Sequence, residues 1–226
     1  MSGLFITFEG GEGSGKTTQL KLLVNRIRAS GKEVIETRDP GGTAIGKEIR
    51  TLLLHPGSVP IAAATELLLY EASRAQLVRE LIAPALARGT VVLCDRFTDS
   101  TLAYQGFGRG IDFNLIQRLS RFSTDGLVPD LTVLLDLDPG IGLTRCRRGV
   151  SADASTGLSA EPSCWDRIEA EPLDFHQRIR GGYLVLARED PDRIAVIDAG
   201  LGVSEIETVV WNEFICLQDR RGYAVL

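Results

Sequence analysis

The sequence predicts an α/β fold, a parallel sheet flanked by helices in three layers, and three features of its 226 residues carry that expectation. Short apolar runs alternate with helix-period patterns along the chain, the mark of strand, crossover helix and strand in a parallel sheet. A strand, a glycine-rich turn, a helix and a second strand are complete within the first forty residues. Charged residues follow directly on several apolar runs, where the ligand crevice of an open α/β sheet lies.

Taken in order, Leu4 to Phe8 reads as a buried strand, and Leu20, Leu23, Val24 and Ile27 have helical spacing. Between them Gly10-Gly11-Glu12-Gly13-Ser14-Gly15-Lys16-Thr17 fits the phosphate-cradling pattern G-x-x-x-x-G-K-[ST]. There backbone N–H groups converge on phosphate oxygens at the positive end of the helix dipole, Lys16 reaches the β/γ-phosphates, and the Thr17 hydroxyl faces Mg²⁺. Glu33 to Thr37 reads as the second strand. Arg38-Asp39-Pro40-Gly41-Gly42-Thr43 is a rigid turn whose Thr43 caps a helix carrying Ile45, Ile49, Leu52 and Leu53. Arg50 is the cation of that helix and by itself reads as a solvated surface arginine.

A long helical pattern runs from Ala62 to Arg88, with Leu67, Leu77, Leu81 and Leu86 toward the core and Pro84 as a bend. Tyr70 and Arg74 stand four apart on one face of it. They suit either stacking on a planar base with a hydrogen bond to its carbonyl edge, or a cation–π pair on an amphipathic helix. Thr90 to Cys94 is a strand that ends in Asp95-Arg96. Arg96 suits bidentate phosphate recognition and Asp95 a Mg²⁺–water shell. Thr101, Tyr104 and Gln105 share a face if Ser100 to Gly106 is helical.

Asp112 to Asp125 reads as a helix, Leu131 to Leu135 as a strand, and Pro139 as the start of a helix with Arg145, Arg147 and Arg148. Residues 149–163 lose hydrophobic periodicity and read as a surface loop, flanked by arginines and Asp166-Arg167, that acts as a lid over phosphates. Glu169 to Glu189 is a helical pattern and Ala195 to Ile197 the fifth strand. Val203 to Cys216 closes the chain as a helix with Ile206, Val209, Val210 and Phe214 inward. One domain, 1–226, with a lid at about 145–168 is expected.

A net charge of −5 argues against a nucleic-acid or anionic-membrane binder, so a phosphate ligand must be met by locally placed cations. Cys94, Cys146, Cys164 and Cys216 form no C-x-x-C pair and no metal-ligand cluster with His55 or His176, and read as reduced, buried thiols. With no leader pattern and no apolar run near the ~18 residues of a membrane span, a cytoplasmic protein is expected.

Two phosphorylated ligands are implied by a triphosphate loop, cations at strand ends and an aromatic-plus-arginine face. No residue stands out as general base, and a monophosphate acceptor explains this: its second pKa is about 6, so it is largely ionised near neutrality. Alignment of donor and acceptor, with charge offset by Lys16, arginines and Mg²⁺, then carries the reaction.

The motifs Phe8-Glu9-Gly10-Gly11-Glu12-Gly13-Ser14-Gly15-Lys16-Thr17-Thr18, Thr37-Arg38-Asp39-Pro40-Gly41-Gly42-Thr43, Arg74-Ala75-Gln76, Asp95-Arg96-Phe97 and Ala103-Tyr104-Gln105-Gly106 resemble, in order, those of bacterial-type thymidylate kinases. The resemblance implies a P-loop nucleoside monophosphate kinase fold with a parallel five-stranded sheet, and transfer of the γ-phosphoryl group of ATP to dTMP. It implies ATP contacts along residues 10–18, metal contacts from Thr17 and Asp95, and a homodimer. In the acceptor site it implies that Tyr70 stacks on thymine, with Arg74 and Thr101 at its polar edge, Tyr104 near the sugar 2′ position and Gln105 among the dTMP contacts. Arg96, helped by Arg38 or Arg50, is implied to hold the acceptor phosphate, and Glu12 to lie near the 3′-hydroxyl. A loop with Glu12 and no arginine resembles the subgroup of the family whose catalytic arginine is in the lid, which implies that role for one of Arg145, Arg147, Arg148 and Arg167. Position 39 holds Asp where the family usually has Glu, position 70 holds Tyr where Phe is commoner, and the lid is longer. Another P-loop nucleotide or deoxynucleoside kinase is the nearest alternative, while a GTP-dependent switch lacks support because no N-K-x-D motif is present. A catalytically silent nucleotide-binding module would share the same loop.

Overall fold

Five parallel strands, β1 (Phe5–Glu9), β2 (Val34–Arg38), β3 (Val91–Asp95), β4 (Leu131–Asp136) and β5 (Ile194–Asp198), stand in the order β2-β3-β1-β4-β5 in the computed structural model of the chain. It describes residues 3–55, 60–153 and 166–222, and for 148–153 the backbone alone. Each strand is displaced by a residue or so from its expected limits. Phe8 and Arg38 both pair with Asp95, and Glu9 with Leu134, so the carboxyl ends of β1, β2, β3 and β4 come level.

Side-chain alternation along β1 assigns the two faces of the sheet. Leu4, Ile6 and Phe8 pack with Leu20, Leu23, Val24 and Ile27 of α1 (Lys16–Ala29) and with Ile206, Val210, Phe214 and Leu217 of α9 (Val203–Arg220). Each fully buried aliphatic or aromatic side chain here contributes roughly 1.5–3 kcal/mol before entropic costs. Phe5 and Thr7 face the other layer, which holds α3 (Ala63–Leu77), α4 (Ala83–Ala87) and α8 (Leu173–Glu189). The closing helix runs on to Arg220, and Val209 lies on its flank at 37% exposure because the buried stripe is 206, 210, 214 and 217. Cys216 falls opposite that stripe and is exposed, Cys146 is half-buried and Cys94 buried; all three are free thiols, and Cys164 lies outside the described residues.

Helix boundaries depart from expectation for local reasons. The pattern from Ala62 to Arg88 is three pieces, α3, a π-helical turn Val78–Ile82, and α4, whose second residue is Pro84. Proline lacks an N–H and crowds the carbonyl four residues back, and the wider turn just before it relieves both demands. Leu67 and Leu77 are buried as expected, Leu81 and Leu86 only partly. In α2 (Ala44–Leu54), capped by Thr43 Oγ1 accepting from the Gly46 N–H at 3.0 Å, Ile49 and Leu53 are buried while Ile45 and Leu52 are exposed. Asp112 caps α6 (Phe113–Thr124), which ends in left-handed Asp125. The helix beginning at Pro139, α7, extends to Asp153, so the first five residues of the expected loop are helical; the remainder to 163 lies outside the described residues. After Pro172, α8 begins at Leu173, four residues later than the periodicity of 169–189 suggested, because the residue before a proline is disfavoured from helical geometry and the helix cannot run through Glu171.

Candidate active site

The glycine-rich loop joins β1 to α1, and Gly10, Gly13 and Gly15 in it all have positive φ. Gly13 has φ +66° and a Cβ there would lie 2.2 Å from the carbonyl of Gly142, so α7 closes directly onto the loop. Gly10 has φ +134° and sits against the Leu135 carbonyl of β4. Ser14 Oγ donates to the Gly11 carbonyl at 2.9 Å, and Lys16 Nζ donates to the carbonyls of Gly10 (3.1 Å) and Gly11 (2.8 Å). Burial and the nearby Arg96 charge pull the Lys16 pKa down, against Glu12, Asp95 and Glu9. Glu12, Gly13, Gly15, Lys16, Thr17 and Thr18 line a cavity of about 400 Å³, closed on its other sides by Arg38, Asp95, Arg145 and Glu169 among others. Thr17 Oγ1 donates to Asp95 Oδ2 at 2.9 Å on its wall.

Beside it, a narrower cavity of about 80 Å³ is lined by Tyr70, Arg74, Arg96, Thr101, Tyr104 and Gln105, together with Pro40, Arg50 and Asp166. Thr101 ends the short helix α5 (Thr98–Thr101), and a π-helical segment, Leu102–Gly108, carries Tyr104 and Gln105, so the stretch is helical and its three polar side chains do share a face. Glu12, Asp39, Arg50, Arg96 and Asp166 border both cavities. Arg38 borders only the larger one, so of the two cations expected to help Arg96, Arg50 is the one at the junction. Arg50 Nη1 donates to the Pro40 carbonyl at 3.2 Å; burial, then the Arg38 and Arg96 charges, lower its pKa.

Arg74 is 1% exposed, and its guanidinium is distributed among protein groups. Nε donates to Asp39 Oδ2 at 2.6 Å, Nη1 to Glu71 Oε1 at 2.9 Å and Nη2 to Thr101 Oγ1 at 2.7 Å. Burial opposes its charge, yet Asp39 and Glu71 outweigh that and hold the pKa above the ordinary arginine value. The ring beneath it is Phe97, with the guanidinium carbon 5.5 Å from the centroid. Glu71 is in turn held by Ser120 and Ser123. The Asp at position 39 thus has a definite partner in Arg74. Burial raises the Tyr70 phenol, keeping its hydroxyl neutral.

Arg96 and Glu12 form the junction. Arg96 has φ +71°, uncommon for a side chain with a Cβ, a feature that clusters at functional sites. Its Nη2 donates to Glu12 Oε1 at 2.8 Å, its Nη1 reaches the Gly10 carbonyl at 3.1 Å, and the guanidinium lies 4.9 Å from the Tyr104 ring centroid. The Tyr104 hydroxyl donates to the same Glu12 oxygen at 2.6 Å. Burial would raise the Glu12 pKa, but Arg96, Lys16 and the Tyr104 hydroxyl hold it down at about 2. Arg145 extends from α7 toward the Gly13 carbonyl, 3.5 Å away, and donates to the Ala199 carbonyl at 3.2 Å. Arg147 is exposed on the same helix, and the Arg148 side chain lies outside the described residues. Arg167 is tied to Glu66 and to the Leu53 carbonyl, and is not among the lining of either cavity.

Sequence reasoning passed over three acids that organise this site. Glu66, fully buried, accepts from Gln105 Nε2 at 2.8 Å and from Arg109 and Arg167. Glu71 supports Arg74. Glu9, also fully buried, contacts Ser100 and Tyr183, and its pKa is pushed up to about 7, first by burial and then by Asp99, against Arg96. A charged residue inside an otherwise apolar helix or strand was the available signal for each. His55 and His176 line neither cavity.

Comparison with known proteins places this geometry. The family model for thymidylate kinase matches residues 8–210. A thymidylate kinase of Solidesulfovibrio magneticus is 50% identical over 209 residues, 92% of this chain and 97% of its own length. One from Deinococcus radiodurans is 51% identical over 210 residues, 92% and 95% of the two chains. The crystal structure of thymidylate kinase from Ehrlichia chaffeensis superposes with a TM-score of 0.71 at 32% identity, covering 95% of this chain and 99% of that one.

Proposed function

The chain belongs to the thymidylate kinase family, which phosphorylates dTMP to dTDP with ATP as donor, and we propose how its residues divide that work. The meeting of two cavities at Glu12, Asp39, Arg50, Arg96 and Asp166 is the observation that carries the assignment. The larger, loop-lined cavity takes the triphosphate, cradled by residues 10–18 with Lys16 on the β/γ-phosphates. The narrower one takes the acceptor: Tyr70 against the base, Arg74, Thr101 and Gln105 at its polar edge, and Tyr104 and Glu12 at the sugar. Arg96 and Arg50, with Arg38 from the donor side, hold the acceptor phosphate. That phosphate is largely ionised near neutrality and needs no base to remove a proton, so catalysis rests on in-line alignment and charge compensation.

Mg²⁺ fits Thr17 and Asp95, hard oxygen donors in contact on the donor wall; such an ion takes few protein ligands and keeps phosphate oxygens and waters. When bound it would neutralise charge on the transferring phosphates. Arg147 and Arg148, beyond Arg145 on the helix that meets the loop at Gly13, are proposed to reach the transferring group as part of a lid at about 145–168 in a single domain. The exposed apolar side chains Ile45, Leu52, Leu68, Leu115 and Phe122 on the packed helices α2, α3 and α6 support a homodimer, to be tested by sedimentation. No helix among the described residues is long and apolar enough to cross a membrane; a cytoplasmic location is part of the proposal, and cell fractionation checks it. ADP release measured with ATP and a panel of nucleoside monophosphates tests the substrate assignment. Turnover should be highest with dTMP, and preference for another acceptor would refute it.

A further inference from the structure

Glu9 ends β1 one residue before the phosphate loop and has no exposed surface, so it touches neither cavity. Its carboxylate nevertheless collects three protons from the surroundings of Arg96. Oε1 accepts from the Phe97 N–H at 2.8 Å, and Oε2 accepts from Ser100 Oγ at 2.6 Å and from the Tyr183 hydroxyl at 2.7 Å. These are the peptide that follows left-handed Arg96, a hydroxyl in α5, and a hydroxyl brought in by α8. The same two hydroxyl oxygens lie 3.4 Å and 3.3 Å from Arg96 Nη1.

Each hydroxyl has one proton to give and lone pairs to offer. A carboxylate can only accept, so both protons turn toward Glu9 and both oxygens offer lone pairs to the guanidinium. An amide whose oxygen keeps the Phe97 N–H puts its N–H₂ where Oε2 stood, and that group can only donate, so neither hydroxyl can give it a proton and their protons turn away, toward each other or the cation. The peptide hydrogen bond to Oε1 meanwhile holds the backbone turn from which the Arg96 side chain starts.

We infer that Glu9 is a positioning residue for Arg96, fixing the direction of the Ser100 and Tyr183 hydroxyl protons and the Phe97 peptide so that the guanidinium stays aimed at the acceptor phosphate. The inference rests on the reading of Arg96 as the acceptor-phosphate ligand. Nothing in it requires Glu9 to meet either substrate. Its loss is therefore felt through the acceptor alone.

Steady-state kinetics at pH 8, where the carboxylate is ionised, test this with Glu9→Gln, Tyr183→Phe, the combination of the two, and Arg96→Ala. Glu9→Gln should raise KM for dTMP about tenfold and leave KM for ATP within about twofold. Tyr183→Phe should raise KM for dTMP about threefold, and the combined variant should cost less than the product of the two, because both act through one hydrogen bond. A uniform fall in kcat with both KM values unchanged, or full multiplicativity, would overturn the inference and leave Glu9 a core residue only. Should Glu9→Gln not fold, Tyr183→Phe decides alone, and an unchanged KM for dTMP overturns it. Arg96→Ala separates the two levels. If it leaves KM for dTMP unchanged, the assignment of Arg96 fails and takes the inference with it; if it raises KM and Glu9→Gln does not, the role of Glu9 alone is wrong.

Discussion

Replacing Arg74 with Met keeps much of the side-chain stem and removes the guanidinium, which leaves Asp39, Glu71 and Thr101 facing an apolar group. The side chains of Asp39 and Glu71 are 0% and 7% exposed, so the charges left behind would be poorly hydrated. Asp39 Oδ1 already lacks a hydrogen-bond partner within the described residues, which makes its other oxygen the more dependent on Arg74. Removing one member of a buried ion pair costs about 3–5 kcal/mol, because the charge left behind is uncompensated. For a chain of this length each kcal/mol moves Tm by roughly 2–4 °C, so scanning calorimetry should record a drop of about 6–20 °C. Adding Asp39→Asn and Glu71→Gln to Arg74→Met should recover part of that loss, since the damage lies in the stranded charges. Kinetics well below the lowered Tm should show a larger rise in KM for dTMP than for ATP. A Tm shift under about 3 °C would refute the buried-pair argument, and an unchanged KM for dTMP in the folded variant would remove Arg74 from the acceptor pocket.

Lys16→Ala should lower kcat by about 10²-fold or more, as expected when a cation serving the transferring phosphates is lost, with thermal stability nearly unchanged; stopped-flow phosphoryl transfer checks it. Tyr104→Phe removes the hydroxyl that donates to Glu12 and should narrow the preference for dTMP over its 2′-hydroxyl counterpart, read as the ratio of the two kcat/KM values. The pH dependence of unfolding follows from two acids of opposite sign. Glu9, raised from 4.5 to about 7, binds its proton more tightly when folded; its contribution is full below pH 4.5 and about 3 kcal/mol is lost as pH rises to 7. Glu9→Gln should lack that loss, so denaturant titrations at pH 4.5 and 7 should shift in its favour relative to the parent. Glu12, lowered to about 2, contributes stability that is present above pH 4.5 and lost as pH falls toward 2.

Most of the framework was legible because it rests on short-range patterning. Apolar runs set the strands, the stripe of Leu20, Leu23, Val24 and Ile27 set α1, and glycine spacing set the phosphate loop. The misplacements came where a local rule met a neighbour that periodicity does not encode. Pro84 is relieved by a π turn rather than a bend, and Val209 and Cys216 lie off the buried stripe of α9. Tyr70, Arg74, Arg96, Thr101, Tyr104 and Gln105, expected from the sequence to share an acceptor pocket, line one cavity.

By itself the sequence determined that a glycine-rich phosphate-loop pattern, strand-end charges and an aromatic-plus-arginine helix face belong to an α/β fold, since each is a local arrangement written in consecutive or helically spaced residues. Only the tertiary structure decided how those charges are shared. Glu9 and Tyr183 are 174 positions apart, and Arg74 reaches Asp39 across 35. A buried carboxylate is ruinous or useful according to which donors surround it, and those donors come from the turn after β3, from α5 and from α8, which meet only when the sheet has formed.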